Sequence, residues 1–356
     1  MPESWLDQWP SGYQLAVCEA CDWLLLLPVE QLSPHCPHCG QENFTQLDAN
    51  DDHPIYTQPP EMVATFALSR DRREESLHNF TRQGWFPPED LTVERLNGRL
   101  RPVYFPLWLV DVDVTAVWQA EAGFDYQVVS HREQYKNGRW QSQEIRETRV
   151  RWEPRLGQLK RHYANNRAPA LEEQPQLSQK LGRYQLNKAQ PYNADQIKNA
   201  LVRLPNRPPD DGWPEAEATI KSIATTNCQQ AAQANHLRDF RWTAEFHNQH
   251  WTQLLYPVYV THYRDDEGQS YPILLNGQTG QLTGTFRASS QRAWQWSKWI
   301  GLGTAVLLLL TLLLLLLANI LDPQLLPLAS LTLFLALATG VAAFTPPILA
   351  WQTNRN

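Results

Sequence analysis

From Trp299 to Trp351 the chain carries one ionisable side chain, Asp322, although 19% of its 356 residues are charged. A stretch so poor in charge does not suit the surface of a soluble domain. It also leaves a proton relay or ion pathway with no groups to run on. Other absences exclude whole classes of chemistry. No Gly-Lys dipeptide occurs, so there is no Walker-type phosphate loop. There is no His-Glu-x-x-His, no Gly-x-Ser-x-Gly and no dinucleotide fingerprint behind a strand. Positive charge is in deficit, 31 Lys+Arg against 37 Asp+Glu, whereas a dedicated nucleic-acid binder carries a basic face. The first residues hold neither a basic n-region nor a small-residue cleavage site, which argues against secretion through a signal peptide. Cysteine is scarce as well, with five in all.

Two uncharged runs, residues 299–321 and 325–351, close the sequence. About 20 helical residues cross a ~30 Å hydrocarbon layer, so each run is long enough. Asp322-Pro323-Gln324 between them permits only a tight turn, and a transmembrane helical hairpin is expected. The second run is rich in small residues (Ala336, Ala338, Gly340, Ala342) that let helices approach closely. Pro346-Pro347 should kink or end it. Arg287, Arg292 and Lys298 precede the hairpin and Arg355 follows it, so the positive-inside rule puts both termini in the cytoplasm. Residues 291–298, with Trp294 and Trp296, read as a juxtamembrane segment.

Four of the cysteines form two knuckles, Cys18-Glu-Ala-Cys21 and Cys36-Pro-His-Cys39-Gly40, separated by 14 residues. Two such knuckles on facing hairpins bring four thiolates to one tetrahedral ion, and a structural Zn²⁺ held by Cys18, Cys21, Cys36 and Cys39 is expected. Gly40 can supply the positive φ with which the chain leaves the second knuckle. Rubredoxin-like iron and disulfides are the alternatives, and His35 or His38 could replace a thiolate. Residues 1–45 then make a small β zinc ribbon that depends on its metal for folding. Cys228 stands apart on a helical stretch with Ile220 and Ala224 and reads as a small buried hydrophobe.

Residues 46–61 are acidic, polar and proline-marked, the pattern of a flexible linker on which the ribbon could swing. The body behind them reads as α+β with antiparallel sheets: a first lobe over 62–164, an irregular connection over 165–214 and a second lobe over 215–290. A helix runs from an N-cap at Ser69 to a stop at Gly84, with Leu77 and Phe80 inward. Phe105-Pro106-Leu107-Trp108-Leu109-Val110 is echoed by Tyr256-Pro257-Val258-Tyr259-Val260-Thr261, as if two related lobes were present. A β-meander follows the second copy, with Asn276-Gly277 suggesting a type I′ turn. Asp111 and Asp113 share one strand face. They form the solvated edge of a sheet or, less simply, a cation site. His247 and His250 lack a carboxylate partner in sequence and make a weak metal candidate. Residues 139–167 carry five more positive than negative charges. A strand pair, 145–152 with 158–163, would turn them toward solvent, anionic lipid or an acidic partner.

The knuckles, Val103-Tyr104-Phe105-Pro106-Leu107-Trp108 with Asp111 behind it, Val150-Arg151-Trp152, Tyr256-Pro257-Val258-Tyr259 and Asn276-Gly277-Gln278-Thr279-Gly280 together resemble a bacterial family. Its members are membrane-anchored proteins with an N-terminal TFIIB-type zinc ribbon, some labelled primosomal helicase-like. The resemblance spans nearly the whole chain. It implies a two-pass protein of the bacterial cytoplasmic membrane, with flotillin-like (SPFH) and PspA-like partners and a role in membrane stress or microdomain assembly. A helicase would need the phosphate loop that is missing here. The expectation is therefore a multidomain protein of zinc ribbon, α+β cytoplasmic body and transmembrane hairpin, acting as a non-enzymatic adaptor or scaffold with no evident small-molecule substrate. The alternative is a nucleic-acid-binding factor tethered to the membrane, which the net charge of −6 disfavours.

Overall fold

The computed structural model describes residues 9, 12–28, 35–42, 44–47, 59–136, 139–320 and 323–355. Most of the expected linker, residues 48–58, and the turn residue Asp322 lie outside the described residues. In chain order the elements are β1 (Tyr13–Cys18), β2 (Leu24–Pro28), β3 (Phe44–Gln46), β4 (Met62–Val63), α1 (Arg70–Thr81), α2 (Val93–Arg99), β5 (Arg101–Lys136) and β6 (Arg139–Ala168). Then come α3 (Gln174–Leu181), β7 (Gln190–Pro191), β8 (Leu201–Arg203), α4 (Pro209–Ala231), β9 (His236–Arg264), β10 (Ser270–Asn276), β11 (Leu282–Gly284), α5 (Ser290–Ile320), α6 (Leu326–Ala342) and α7 (Thr345–Arg355).

One mixed sheet replaces the antiparallel sheets expected of two lobes. Its main path runs β11-β10-β9-β5-β8-β2-β1-β3, with β4 parallel to β9, β8 parallel to β5 and β6 beside β5. The two echoed motifs are neighbours within it, Phe105 lying opposite Tyr256. Their prolines have a common cause. Proline has no N–H to give a ladder, so a central strand tolerates it only where a partner is missing. Pro106 lies where the neighbour of β5 changes from β8 to β6, and its carbonyl accepts from Gln174 Nε2 at 2.8 Å. Pro257 likewise falls where the neighbour of β9 changes from β4 to β10, and its carbonyl accepts from the Gly277 N–H.

The connection expected to be irregular is structured where it matters. Leu201, Val202 and Arg203 form a buried strand wedged between β2 and β5. The N-terminal hairpin is therefore a continuation of the body's sheet rather than a swinging unit. Cys18, Trp23, Leu25 and Cys36 belong to the same core as Val103, Phe105 and Val258.

α1 begins as expected, with Ser69 Oγ accepting from Arg72 N–H, and buries Leu77 and Phe80 against Tyr263 and Ile273. The meander is present, but its turn is not type I′. Only Gly280 takes a positive φ there (+82°), while Asn276 Oδ1 accepts from the N–H groups of Gln278 and Thr279. The basic segment is one strand, not two, and pairs with β5 from Trp108 to Lys136.

Beyond Gly123, opposite His236, β9 ends and only β5 and β6 continue. They form a two-stranded arm about 40 Å long at ~3.3 Å per residue. Below it, α4 covers one face of the three-stranded stretch, burying Ile220, Ala224 and Cys228 against Val112, Val114, Trp118 and Ala120. Burial pushes the Cys228 thiol up, in keeping with a small apolar role.

Among the described residues, two helices are long and apolar enough to cross a membrane, Ser290–Ile320 and Pro323–Arg355. The second is broken at Ala343-Phe344, so that Pro346 and Pro347 sit in the first turn of α7, where proline is tolerated. Small and hydroxylic residues make the seam. Thr304 meets Thr339 at 3.1 Å, Thr311 meets Thr332 at 2.9 Å, and Ser297 Oγ donates to the Ala343 carbonyl at 2.6 Å.

Candidate metal centre

Both knuckles are built by turns that return the chain to the sulfur side. After Cys18 the N–H groups of Cys21 and Asp22 donate to its carbonyl, and Asp22 takes φ +57°. This is the position where the sequence offers no glycine, and an aspartate tolerates the left-handed region better than most residues. After Cys36 the Gly40 N–H donates to the Cys36 carbonyl at 2.9 Å, and Gly40 takes the expected positive φ, +69°. β1 delivers the first knuckle and pairs with β2 and β3, which closes the strands around the second.

The four sulfurs lie within 4.8 Å of one another. Cys18 and Cys39 approach to 3.5 Å and Cys21 and Cys36 to 3.7 Å. A disulfide is about 2.05 Å long, so these thiols are free. A tetrahedron with metal–sulfur bonds of about 2.3 Å has edges of about 3.8 Å, and the observed spacings fit an ion held by all four cysteines. A hydrogen bond from Cys21, aided by the His38 and Cys39 N–H groups, pulls the Cys36 thiol down to about 6. Burial pushes Cys39 up to about 12. The Cys21 thiol, donating to Cys36, is pushed up as well, so a cation amid the sulfurs would favour the thiolates of Cys21 and Cys39.

The two nearby histidines have other work. His38 stacks on Trp23 at 4.2 Å, and burial pushes its imidazole down to about 4. His35 pairs with Glu42 at 2.8 Å. Sequence reasoning missed what surrounds the centre. Arg203, buried at 4% exposure, lies 4.2 Å over the Trp23 ring and ion-pairs with Glu173. The last residues of β9 reach the second knuckle, His262 Nδ1 bonding the Pro37 carbonyl at 3.3 Å and Arg264 Nη2 the Gly40 carbonyl at 3.1 Å. A Cβ at Gly40 would meet the His262 ring at 2.3 Å, so glycine is required there twice over.

Between these two residues, Tyr263 points the other way. Its hydroxyl donates to the Thr285 carbonyl and accepts from the Arg287 N–H, both at 2.8 Å. Arg287 and Ala288 in turn bond Asn354, and Asp266 accepts from the Gln291 N–H and from Ser289 Oγ at the start of α5. Burial opposes ionisation of Asp90, but Arg99 and the Arg264 N–H outweigh it and hold the carboxyl down at about 2. One strand end thus grips the second cysteine knuckle on one side and the base of the apolar helices on the other.

The remaining sequence candidates lie on the stalk, the three-stranded stretch of β5, β6 and β9 below the arm, or on the arm itself. Asp111 Oδ1 accepts from the Asn165 N–H at 2.6 Å, and Asp113 pairs with His162 at 2.9 Å and Asn248 at 2.9 Å. His247 and His250 do have carboxylates opposite them, Asp113 and Asp111 respectively, which only the fold could reveal. In the basic segment Arg146, Arg149, Arg151 and Arg155 are answered by Glu144, Glu147 and Glu153 along the same strand. That segment runs from the arm tip, where Arg139 lies opposite Lys136, back to Arg167 opposite Leu109.

No family model, curated protein or solved structure matches this chain.

Proposed function

We propose that this is a membrane-anchored zinc-ribbon protein that acts as an adaptor, presenting its β arm to other proteins away from the bilayer. The observation that carries this reading is the arm itself. Residues 124–136 and 139–151 form a ribbon with solvent on both faces and an aromatic pair, Tyr135 and Trp140, exposed at 61% and 71% near its tip. An isolated two-stranded ribbon is only marginally stable and leaves its ladder edges open, features that suit strand addition or side-on contact by a partner. The cysteine centre is given a structural Zn²⁺, because four thiolates fill a tetrahedron and leave no open position for chemistry.

The positive flanks Arg287, Arg292 and Lys298 favour a cytoplasmic body, with both termini inside. A reporter fused to the C-terminus should therefore read as cytoplasmic, and an external reading overturns that topology. The resemblance noted above makes flotillin-like and PspA-like proteins the partners to look for. Replacing residues 124–151 by a short Asn-Gly turn should leave the protein folded and inserted but abolish co-purification of partners from gently solubilised membranes. Partner recovery undiminished by the deletion defeats the adaptor reading of the arm.

A further inference from the structure

We infer that the open face of the stalk carries a second metal site, for a divalent transition ion, formed by His162, Asp113 and His247. The three residues come from three adjacent strands at one level. Asp113 on β5 lies directly opposite His162 on β6 and directly opposite His247 on β9. Directly opposed residues share a face with Cβ atoms about 4.5–5.5 Å apart, within reach of one ion. The face is the one away from α4, since Val112, Val114, Tyr163 and Phe246 point toward that helix.

The ladder is remodelled around this row. β6 bulges at Asn165 (φ +55°) and β9 at Asn248 (φ +53°), both beside the row and both with a non-glycine residue in the left-handed region. Bulges re-aim side chains and gather at functional sites. Asp111 holds the first bulge through the Asn165 N–H, and the second turns Asn248 Nδ2 onto Asp113 Oδ2 at 2.9 Å. The Asp113 carboxylate is thereby fixed on one oxygen and presents the other to His162 Nδ1, 2.9 Å away.

Two donors 2.9 Å apart are spaced as adjacent ligands of an ion about 2.1 Å from each. Binding an ion there would open that hydrogen bond, with the proton released to solvent and both donors turned toward the metal. The third ligand stands off, because the His247 ring is turned toward Glu245 at 3.5 Å. Its side chain is 54% exposed, and to serve as the third ligand it would have to turn from Glu245 toward Asp113, which stands opposite it. Asp111 and Glu245 lie beside Asp113 on this face, with Lys160 and Arg167 flanking the row. Two imidazoles and one carboxylate with open positions suit Zn²⁺, Ni²⁺, Cu²⁺ or Fe²⁺ rather than Mg²⁺ or Ca²⁺.

The test uses the full chain in detergent, purified without a histidine tag and with the cysteine centre already filled with Zn²⁺. Calorimetric titration with Ni²⁺ should show one further saturable equivalent. His162→Ala and His247→Ala should each weaken it by more than tenfold, and Asn248→Gly, which frees the carboxylate it orients while suiting the positive φ of the bulge, by about 10-fold. His131→Ala, an exposed histidine on the arm, should leave it unchanged. All these side chains are exposed, so the fold survives the substitutions. No further equivalent, or one bound alike by every variant, means that His162 and Asp113 are only a surface ion pair and overturns the site.

Discussion

Cys36→Ser should strip the ion from the N-terminal centre and lower the melting temperature of the whole body, not of a detachable ribbon alone. One of four thiolates is lost, and if the ion is the proposed structural zinc, its binding contributes roughly 10 kcal/mol or more of folding free energy. Cys36 is buried in the same core as Val103, Phe105, Tyr256 and Val258, so its knuckle cannot open without exposing the centre of the sheet. In a chain of this size a few kcal/mol moves the transition by about 2–4 °C per kcal/mol. Metal content by mass spectrometry and a thermal melt in detergent check both halves. A variant that keeps a full equivalent of metal refutes the centre. A variant that loses it with the body's melt unmoved restores the picture of a ribbon hung on a linker.

The second large effect is expected at Arg203→Ala, at about 1–3 kcal/mol, because the buried guanidinium loses its stacking on Trp23 while Glu173, about a third exposed, is left unpaired but partly solvated. Arg203 stands on β8, the strand that joins the ribbon to the body, with its guanidinium over Trp23 and 5.4 Å from the Phe105 ring centre. Its partner Glu173 opens α3. The double change Arg203→Met with Glu173→Gln removes both charges while keeping the volume, and should recover most of the loss. Urea unfolding of the three proteins measures this. Equal stability of wild type and Arg203→Ala would mean that the ribbon is held by apolar contact alone.

The local signals proved legible because each follows from one or two residue types. The Cys-x-x-Cys spacing, the Ser69 cap, Gly40 and the uncharged C-terminal runs all lie where the sequence puts them. The long strands were not legible, for a physical reason. β5 runs for 36 residues against the 5–6 of an ordinary strand, and each bulge shifts the alternation by one, so no single period describes β6 or β9. β8 is three residues of ordinary sequence whose importance lies in what flanks it. The row of His162, Asp113 and His247 is assembled from positions far apart in the chain. No spacing rule could join them.

The shared end of β9 has a mechanical consequence. A partner holding the arm tip and a bilayer holding α5 would pull on the protein along the strand axis, because both grips lie at opposite ends of the same sheet. Ladder hydrogen bonds lie across the strands, so such a load shears the β5–β9 register from Arg101 to Gly123 all at once instead of peeling bonds one by one. Tension would reach the apolar helices through the Tyr263 hydroxyl, and the second cysteine knuckle at the same instant through His262 and Arg264. The anchor and the ion site would feel any tug on the arm as a single rigid fitting.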